Sequence, residues 1–279
     1  MYLCSPMRGL TRYRVVSWLR HHLAAWNTGG EGVHSPYLFE WVRMVMSDKH
    51  AYYMWNDIEA LRGEMLRDER VIPFIDYGSG KGLLGEKKKD ERSVKDIAKN
   101  SLAGKKYAQM LYRLVNWLSR ERNLNIVELG TSLGITTAYL AAPNSGNRVV
   151  TLEGCEVVAE LAKENWKRLD VKNIECWVGE VTQASLRNVV DALQEGIDVA
   201  FIDANHTYAS TREYFNVLAA SVHEKSVIVV DDIHHSKEME RAWKEICADM
   251  RVTSTIDLYQ MGLVFFDKHY WKRNYRMRL

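Results

Sequence analysis

Val127-Glu128-Leu129-Gly130-Thr131-Ser132-Leu133-Gly134-Ile135-Thr136 is the stretch on which the fold turns. A β-branched run leads into it and an apolar helical stretch follows, so its two glycines stand at a strand-to-helix turn. Gly130 suits the tight turn, and Gly134 lets the helix approach the sheet. The loop amides and the helix N-terminus then present a positive end to a carboxylate or phosphate. Glu153 closes the next predicted strand, placed to accept hydrogen bonds from both hydroxyls of a ribose, with Gly154 behind it.

Outward from this loop, short β-branched runs alternate with amphipathic helical stretches, the pattern of a mostly parallel α/β sheet. Strands are predicted at 125–129, 148–152, 174–178, 198–202 and 227–230. A pair at 253–258 and 263–266 reads as a closing hairpin. Between them, helical faces are carried by Val158, Leu161, Ala162 and Trp166, by Phe215, Leu218 and Val222, and by Met239, Trp243 and Ile246.

Residues 1–100 lack that alternation. Helices are predicted over 14–26, 36–46 and 52–70, with a break at 28–32, and the charged run 85–99 reads as a solvated loop or helix face. The chain therefore divides into an N-terminal helical cap, 1–100, and an α/β domain, 101–279. A net charge of +2 gives no electrostatic reason to expect a nucleic-acid partner. Cys4, Cys155, Cys176 and Cys247 show no CxxC spacing and read as reduced thiols of a cytoplasmic protein. No apolar run approaches the ~20 residues of a membrane span, so no membrane partner is expected.

The loop also discriminates between cofactors. Dinucleotide sites use G-x-G-x-x-G, whose middle glycine admits a pyrophosphate; here that position is Ser132. S-adenosylmethionine (SAM) has no pyrophosphate but carries an ammonium group, which Glu128 could help to hold. Glu128 with Glu153 therefore favours SAM over NAD. A second glycine run, Ile75-Asp76-Tyr77-Gly78-Ser79-Gly80-Lys81-Gly82, matches a nucleotide loop letter for letter. Pro73 interrupts its strand and a charged segment follows it, so it reads as a loop of the cap near the site's entrance.

Glu128–Thr136 resembles the first motif of the catechol and caffeoyl-CoA O-methyltransferases, which also lack the middle glycine. T-L-E at 151–153, V-G-E at 178–180, F-I-D-A-N-H at 201–206 and V-V-D-D at 229–232 follow in the same order. The resemblance spans roughly 101–267. With G-V-H-S-P at 32–36 and D-D-I-H-H-S-K-E-M-E at 231–240, the whole chain also resembles a bacterial family of SAM-dependent methyltransferases. It implies a Rossmann-like seven-stranded sheet with a C-terminal antiparallel hairpin. It places Thr131, Ser132 and Thr136 in the cofactor loop, Gly179 and Glu180 near the adenine edge, and segment 101–109 over the methionine end.

Asp203 ends the fourth strand, and Asp231 and Asp232 end the fifth, where strand ends converge on a ligand crevice. Three carboxylates there repel one another unless protonated or shared by a cation, and Mg²⁺ is the natural hard ion. The resemblance implies a metal held by an Asp and an Asp-Asn pair; Asp232 replaces the Asn. The alternative is that Asp203 orients the cofactor and the other two cap a turn. His206 stands where that family carries a lysine base, and a neutral imidazole can accept a proton near pH 7. His234 and His235 follow the acidic pair, and Ser236 reads as a helix N-cap.

These features lead to methyl transfer from SAM to an oxygen of a small molecule, with Mg²⁺ assistance and homodimerisation left open. The rivals are a metal-independent N-, protein- or RNA-methyltransferase, an NAD-dependent oxidoreductase and a non-catalytic SAM-binding protein. The aromatic residues of the first hundred, Trp18, Trp26, Tyr37, Trp41, Tyr52 and Trp55, form either a substrate pocket or the cap's own core. The basic-aromatic stretch 268–278 reads as a solvated terminal segment.

Overall fold

Among the described residues, two antiparallel strands and five helical segments precede the alternating part of the chain. The computed structural model describes residues 11–25, 33, 35–77, 88–269 and 271–279. Helix α1 spans Arg12–Ala24, and α2, Pro36–Trp41, runs on into a π-helical turn, Val42–Met46. After α3, Met54–Met65, the strands β1, Val71–Asp76, and β2, Lys88–Ser93, pair antiparallel, followed by α4, Val94–Ser101, and α5, Lys105–Leu118. The charged run at 88–93 is thus a strand rather than a loop. Pro73 sits opposite Glu91 in this two-stranded ribbon, whose free edges tolerate its missing N–H. Glycines 78, 80 and 82, Trp26, and Gly32 and His34 of the 32–36 motif lie outside the described residues.

The alternation then follows as expected. It runs β3 (Asn125–Leu129), α6 (Ile135–Ala141), β4 (Arg148–Glu153), α7 (Glu156–Arg168), β5 (Ile174–Val178) and α8 (Gln183–Asp191). It continues through β6 (Ile197–Ile202), α9 (Tyr208–Leu218), β7 (Val222–Asp231), α10 (Lys237–Ala248), β8 (Ser254–Asp257) and β9 (Met261–Phe265). The last strand is β10, Arg273–Arg276. The sheet order is β10-β8-β9-β7-β6-β3-β4-β5, with β9 antiparallel to both its neighbours and the other pairs parallel. The sheet therefore has eight strands instead of seven. The extra one, β10, comes from the stretch read as solvated. Its charged, exposed residues hide an edge strand from a hydropathy pattern.

Strand alternation divides the core into two layers. Ile126, Phe201, Val229 and Leu263 face one cluster with Trp41, Val42 and Leu111 of the N-terminal helices. Val127, Ala200, Ile228 and Val264 face another with Phe215, Trp243 and Ile246. The N-terminal helices thus pack directly on the sheet. The chain reverses direction across the sheet between β3 and β6, which opens a crevice at their C-terminal ends.

Candidate active site

The loop after β3 is shaped by three left-handed residues, Gly130 (φ 94°), Ser132 (φ 49°) and Gly134 (φ 74°). A Cβ on Gly130 would lie 2.3 Å from the Asp203 carbonyl oxygen, so β3 and β6 approach too closely for any side chain there. At Gly134 the obstacle is Trp166, whose indole N–H donates to the Gly134 carbonyl at 2.8 Å. Glu153 clamps the loop from the next strand. One of its oxygens accepts the Ser132 N–H at 2.8 Å and the other the Cys155 N–H at 2.9 Å. Burial pushes its carboxyl up, against the pull of these amides. Ser101 meets Ser132 at 2.5 Å between hydroxyl oxygens, which brings the end of α4 over the loop.

A cavity of 1010 Å³ opens in front of this loop. Gly130, Ser132, Glu153, Gly154 and Glu180 form its cofactor-side wall, and Asp203, His206, Asp231 and Asp232 its floor. Phe74, Ile75 and Tyr77 cover it from β1 and the residue after. The Tyr77 ring lies so close to Gly154 that a Cβ there would come within 2.4 Å of it. The start of the second glycine run, Ile75 and Tyr77, therefore lines the cavity.

Other expected cofactor residues stand behind the wall. Glu128 is fully buried beneath the loop, with one oxygen accepting from Thr137 at 2.5 Å and Thr151 at 2.7 Å. Its other oxygen is buried without a partner, and burial raises its pKa to about 7. In this conformation Glu128 has no face on the cavity, so it can act on a ligand only through the loop. Thr131 hydrogen-bonds Thr151, and Thr136 and Gly134 lie under the loop. Gly179 donates its N–H to the Glu153 carbonyl and delivers Glu180 to the wall.

On the floor, burial and mutual repulsion push the Asp203 and Asp231 carboxyls up, and the two interact directly. One Asp231 oxygen is buried with no partner. Asp232 is left-handed (φ 54°) and turns towards His235 at 3.4 Å. Burial pushes Asp232 up, but His235 and His206 outweigh it and leave it below its ordinary value. Among the described residues, the trio of His, Cys, Asp or Glu with all donor atoms within 4.8 Å is Glu224, Asp267 and His269. The three floor carboxylates are thus not gathered into one coordination sphere. An Asp203–Asp231 pair with an unpartnered buried oxygen nonetheless fits a shared cation or a shared proton. His206 lies 3.5 Å from Asp203, and burial lowers its pKa, so it is neutral near pH 7. Thr207 caps α9, and Ser236 caps α10 as expected.

The far wall was not legible in the sequence. Helix α1 contributes Arg14, Trp18, His21 and His22, and the turn after β8 contributes Tyr259. Asp257 ties them together, accepting from His21 at 3.1 Å and from His234 at 2.9 Å. The His234 ring stacks on Tyr259 with centroids 5.2 Å apart. Of the early aromatics, Trp18 faces the cavity, whereas Tyr37, Trp41, Tyr52 and Trp55 pack against Trp117, Phe265 and Tyr112.

Residues 127–233, from the glycine loop to just past the acidic pair, match the family described as "Methyltransferase domain". The match covers about two fifths of the chain, and the sheet order and the switch-point crevice agree with it. Among solved structures, an O-methyltransferase from Bacillus cereus in complex with S-adenosylhomocysteine (SAH) is 19% identical. It aligns over 78% of this chain and 92% of its own, with a TM-score of 0.53. The O-methyltransferase TomG from Streptomyces achromogenes, involved in tomaymycin synthesis and in complex with SAM, is 20% identical. It covers 60% of this chain and 82% of its own, with a TM-score of 0.52. At this identity the likeness establishes the shared fold. No curated protein matches the chain significantly.

Proposed function

We propose that the chain transfers a methyl group from SAM to an oxygen of a small-molecule acceptor. The observation that carries this is Glu153, whose two oxygens are aligned by backbone amides at the wall of a cavity large enough for a nucleoside and an acceptor together. The remaining lone pairs suit two ribose hydroxyls. Serine in place of the middle glycine leaves no room for a pyrophosphate. When bound, SAM supplies an electrophilic methyl group. Asp203 borders the cofactor and acceptor halves of the cavity, and neutral His206 beside it can take the proton of an acceptor hydroxyl. Much of the rate would come from holding the acceptor in line. The SAM and SAH complexes of the two neighbours support this reading. Unpaired Cys155, Cys176 and Cys247 agree with a cytoplasmic location, and among the described residues no helix is long and apolar enough to cross a membrane.

Calorimetry is expected to show SAH binding and no binding of NAD. Glu153→Ala should weaken SAH by one to two orders of magnitude, the effect of losing charge-assisted hydrogen bonds of about 1.5–3 kcal/mol. Tight NAD binding with none for SAH would overturn the assignment.

Asp203 and Asp231 are the residues that would hold a divalent cation, a Lewis acid for the acceptor oxygen. The unpartnered Asp231 oxygen favours this second reading. In that case methyl transfer stops in EDTA while SAH binding survives, and His206→Ala lowers turnover most below neutral pH. Full turnover in EDTA leaves a proton shared between the two carboxyls instead.

A further inference from the structure

The far wall of the cavity holds two ring nitrogens that no group in the fold satisfies. Asp257, at the end of β8, stands between His21 and His234. The His21 Nε2 lies 3.1 Å from one carboxylate oxygen and 3.1 Å from the Asp257 carbonyl oxygen. The His234 Nε2 lies 2.9 Å from the other carboxylate oxygen. Burial pushes the Asp257 carboxyl up, but the bonds from the two histidines outweigh it and keep the group ionised. An ionised carboxylate and a carbonyl only accept, so both Nε2 atoms carry hydrogen and donate. In the neutral rings each Nδ1 is then a lone-pair acceptor, and both are buried without a partner.

Buried acceptors in native folds are nearly always paired, so these two call for an explanation. Among the described residues, three unpartnered buried atoms belong to residues lining the cavity: His21 Nδ1, His234 Nδ1 and Asp231 Oδ1. Asp231 belongs to the floor already described; the two nitrogens have no part in that chemistry. Their rings are held in place. Tyr259 stacks on His234, meets His21 edge-on at 5.5 Å, and donates its backbone N–H to Asp257 at 2.9 Å. The basic groups nearby are engaged. Arg278 donates to the His22 carbonyl, Lys106 to the Leu279 oxygen, and Arg14 has a partner as well. Among the described residues no third His, Cys, Asp or Glu completes a metal-sized group around either histidine. The wall therefore offers hydrogen-bond acceptors, in a geometry short of the ligands a metal needs.

We propose that the acceptor carries a second donor group, a hydroxyl or an amine N–H, and that His21 and His234 receive it at Nδ1. The methyl-transfer reading enters only in calling this ligand the acceptor; its reacting oxygen would lie at the His206 side of the same cavity. Neither nitrogen meets solvent in this conformation, so a shift of α1 admits the donor. His21 is the one residue that α1 buries, while Val16, Trp18, Leu19 and Leu23 of the same helix are exposed. A helix with so little apolar burial is the part of the wall that yields most readily. A site built to receive a donor discriminates against a ligand of the same shape that lacks one.

Phenol and fluorobenzene have closely similar bodies, and only phenol carries a donor hydrogen. Titrated by NMR into the full chain saturated with SAH, phenol is expected to bind at least about three-fold more tightly, the value of one neutral hydrogen bond. The ring-nitrogen resonances of His21 and His234 should show Nδ1 without hydrogen, and should move at Nδ1 with phenol but not with fluorobenzene. His21→Gln combined with His234→Gln keeps a side-chain N–H for Asp257 and removes both Nδ1 atoms. This variant should lose the preference for phenol while binding SAH within about two-fold of the parent. No preference for phenol in the parent, Nδ1 resonances that do not respond, or a preference that survives the double substitution overturns the proposal. The last of these would assign the donor to His206, which the variant retains. Should the double variant fail to bind SAH, the ring resonances of the parent decide by themselves. Failure of the parent to bind SAH overturns the methyl-transfer reading instead, and the same titration into the unliganded chain still tests the two nitrogens.

Discussion

Gly130→Ala is expected to remove measurable SAH binding and to lower stability by about 2–5 kcal/mol. Two costs combine. A left-handed φ of 94° is strained for alanine by about 1–2 kcal/mol. The new Cβ would also sit 2.3 Å from the Asp203 carbonyl oxygen and 3.0 Å from its carbonyl carbon. Those are backbone atoms, so no side-chain rotation relieves the clash, and overpacking of this kind costs about 1–3 kcal/mol. Relief requires the ends of β3 and β6 to part. The Asp203 N–H donates to the Leu129 carbonyl at 2.9 Å, and this bond between the two strand ends would break. The loop amides, Glu153 and Asp203 would then lose register together. Gly63→Ala is the matched control. It lies within α3, its Cβ would meet the flexible Arg67 side chain no closer than 3.5 Å, and it should stabilise by about 0.4–1 kcal/mol. Urea unfolding and SAH titration of both variants check the pair. A Gly130→Ala protein that binds SAH normally would show that the strand ends are free to separate.

The sheet was legible because its signals are local. Strands β3 to β7 are short β-branched runs whose every second residue enters one of the two core layers, and the glycine loop announces the switch point between them. Glu153, Asp203 and Asp231 could be placed because each ends such a run. What the sequence hid is either polar or distant. β10 consists of Arg273, Asn274, Tyr275 and Arg276, which carry no apolar alternation because the strand lies at an edge. β2 is charged for the same reason. Glu128 was expected at the ligand because it stands near the end of β3, but its carboxylate lies beneath the loop, where Thr137 and Thr151 donate to it. The far wall needs His21 to meet Asp257, 236 positions along the chain. No periodicity or spacing encodes such a contact.

Between pH 5 and pH 8 the unliganded protein should lose stability, and Glu128 should be one separable source. Burial raises this carboxyl from its ordinary 4.5 to about 7. A raised carboxyl binds more protons in the native state than in the unfolded chain, so its contribution is complete below pH 4.5 and is lost as pH climbs through 7. At 1.36 kcal/mol per unit the loss approaches about 3 kcal/mol. Glu153, Asp203 and Asp231 are shifted in the same direction and add to the slope. Asp232 and Asp257 are depressed, but their windows lie below pH 4. Depressed His22 and His206 act in the opposite sense near pH 6.5, so the total slope is a mixture. Glu128→Gln separates it. The glutamine oxygen can keep the bonds from Thr137 and Thr151, while its amide replaces the unpartnered oxygen at a cost of about 1–3 kcal/mol. That cost does not change with pH. Urea midpoints for parent and variant at pH 5, 6, 7 and 8 should therefore differ by a term that moves in the variant's favour by up to about 3 kcal/mol as pH rises. A constant difference would mean that Glu128 is ionised throughout, with a counter-charge beneath the loop.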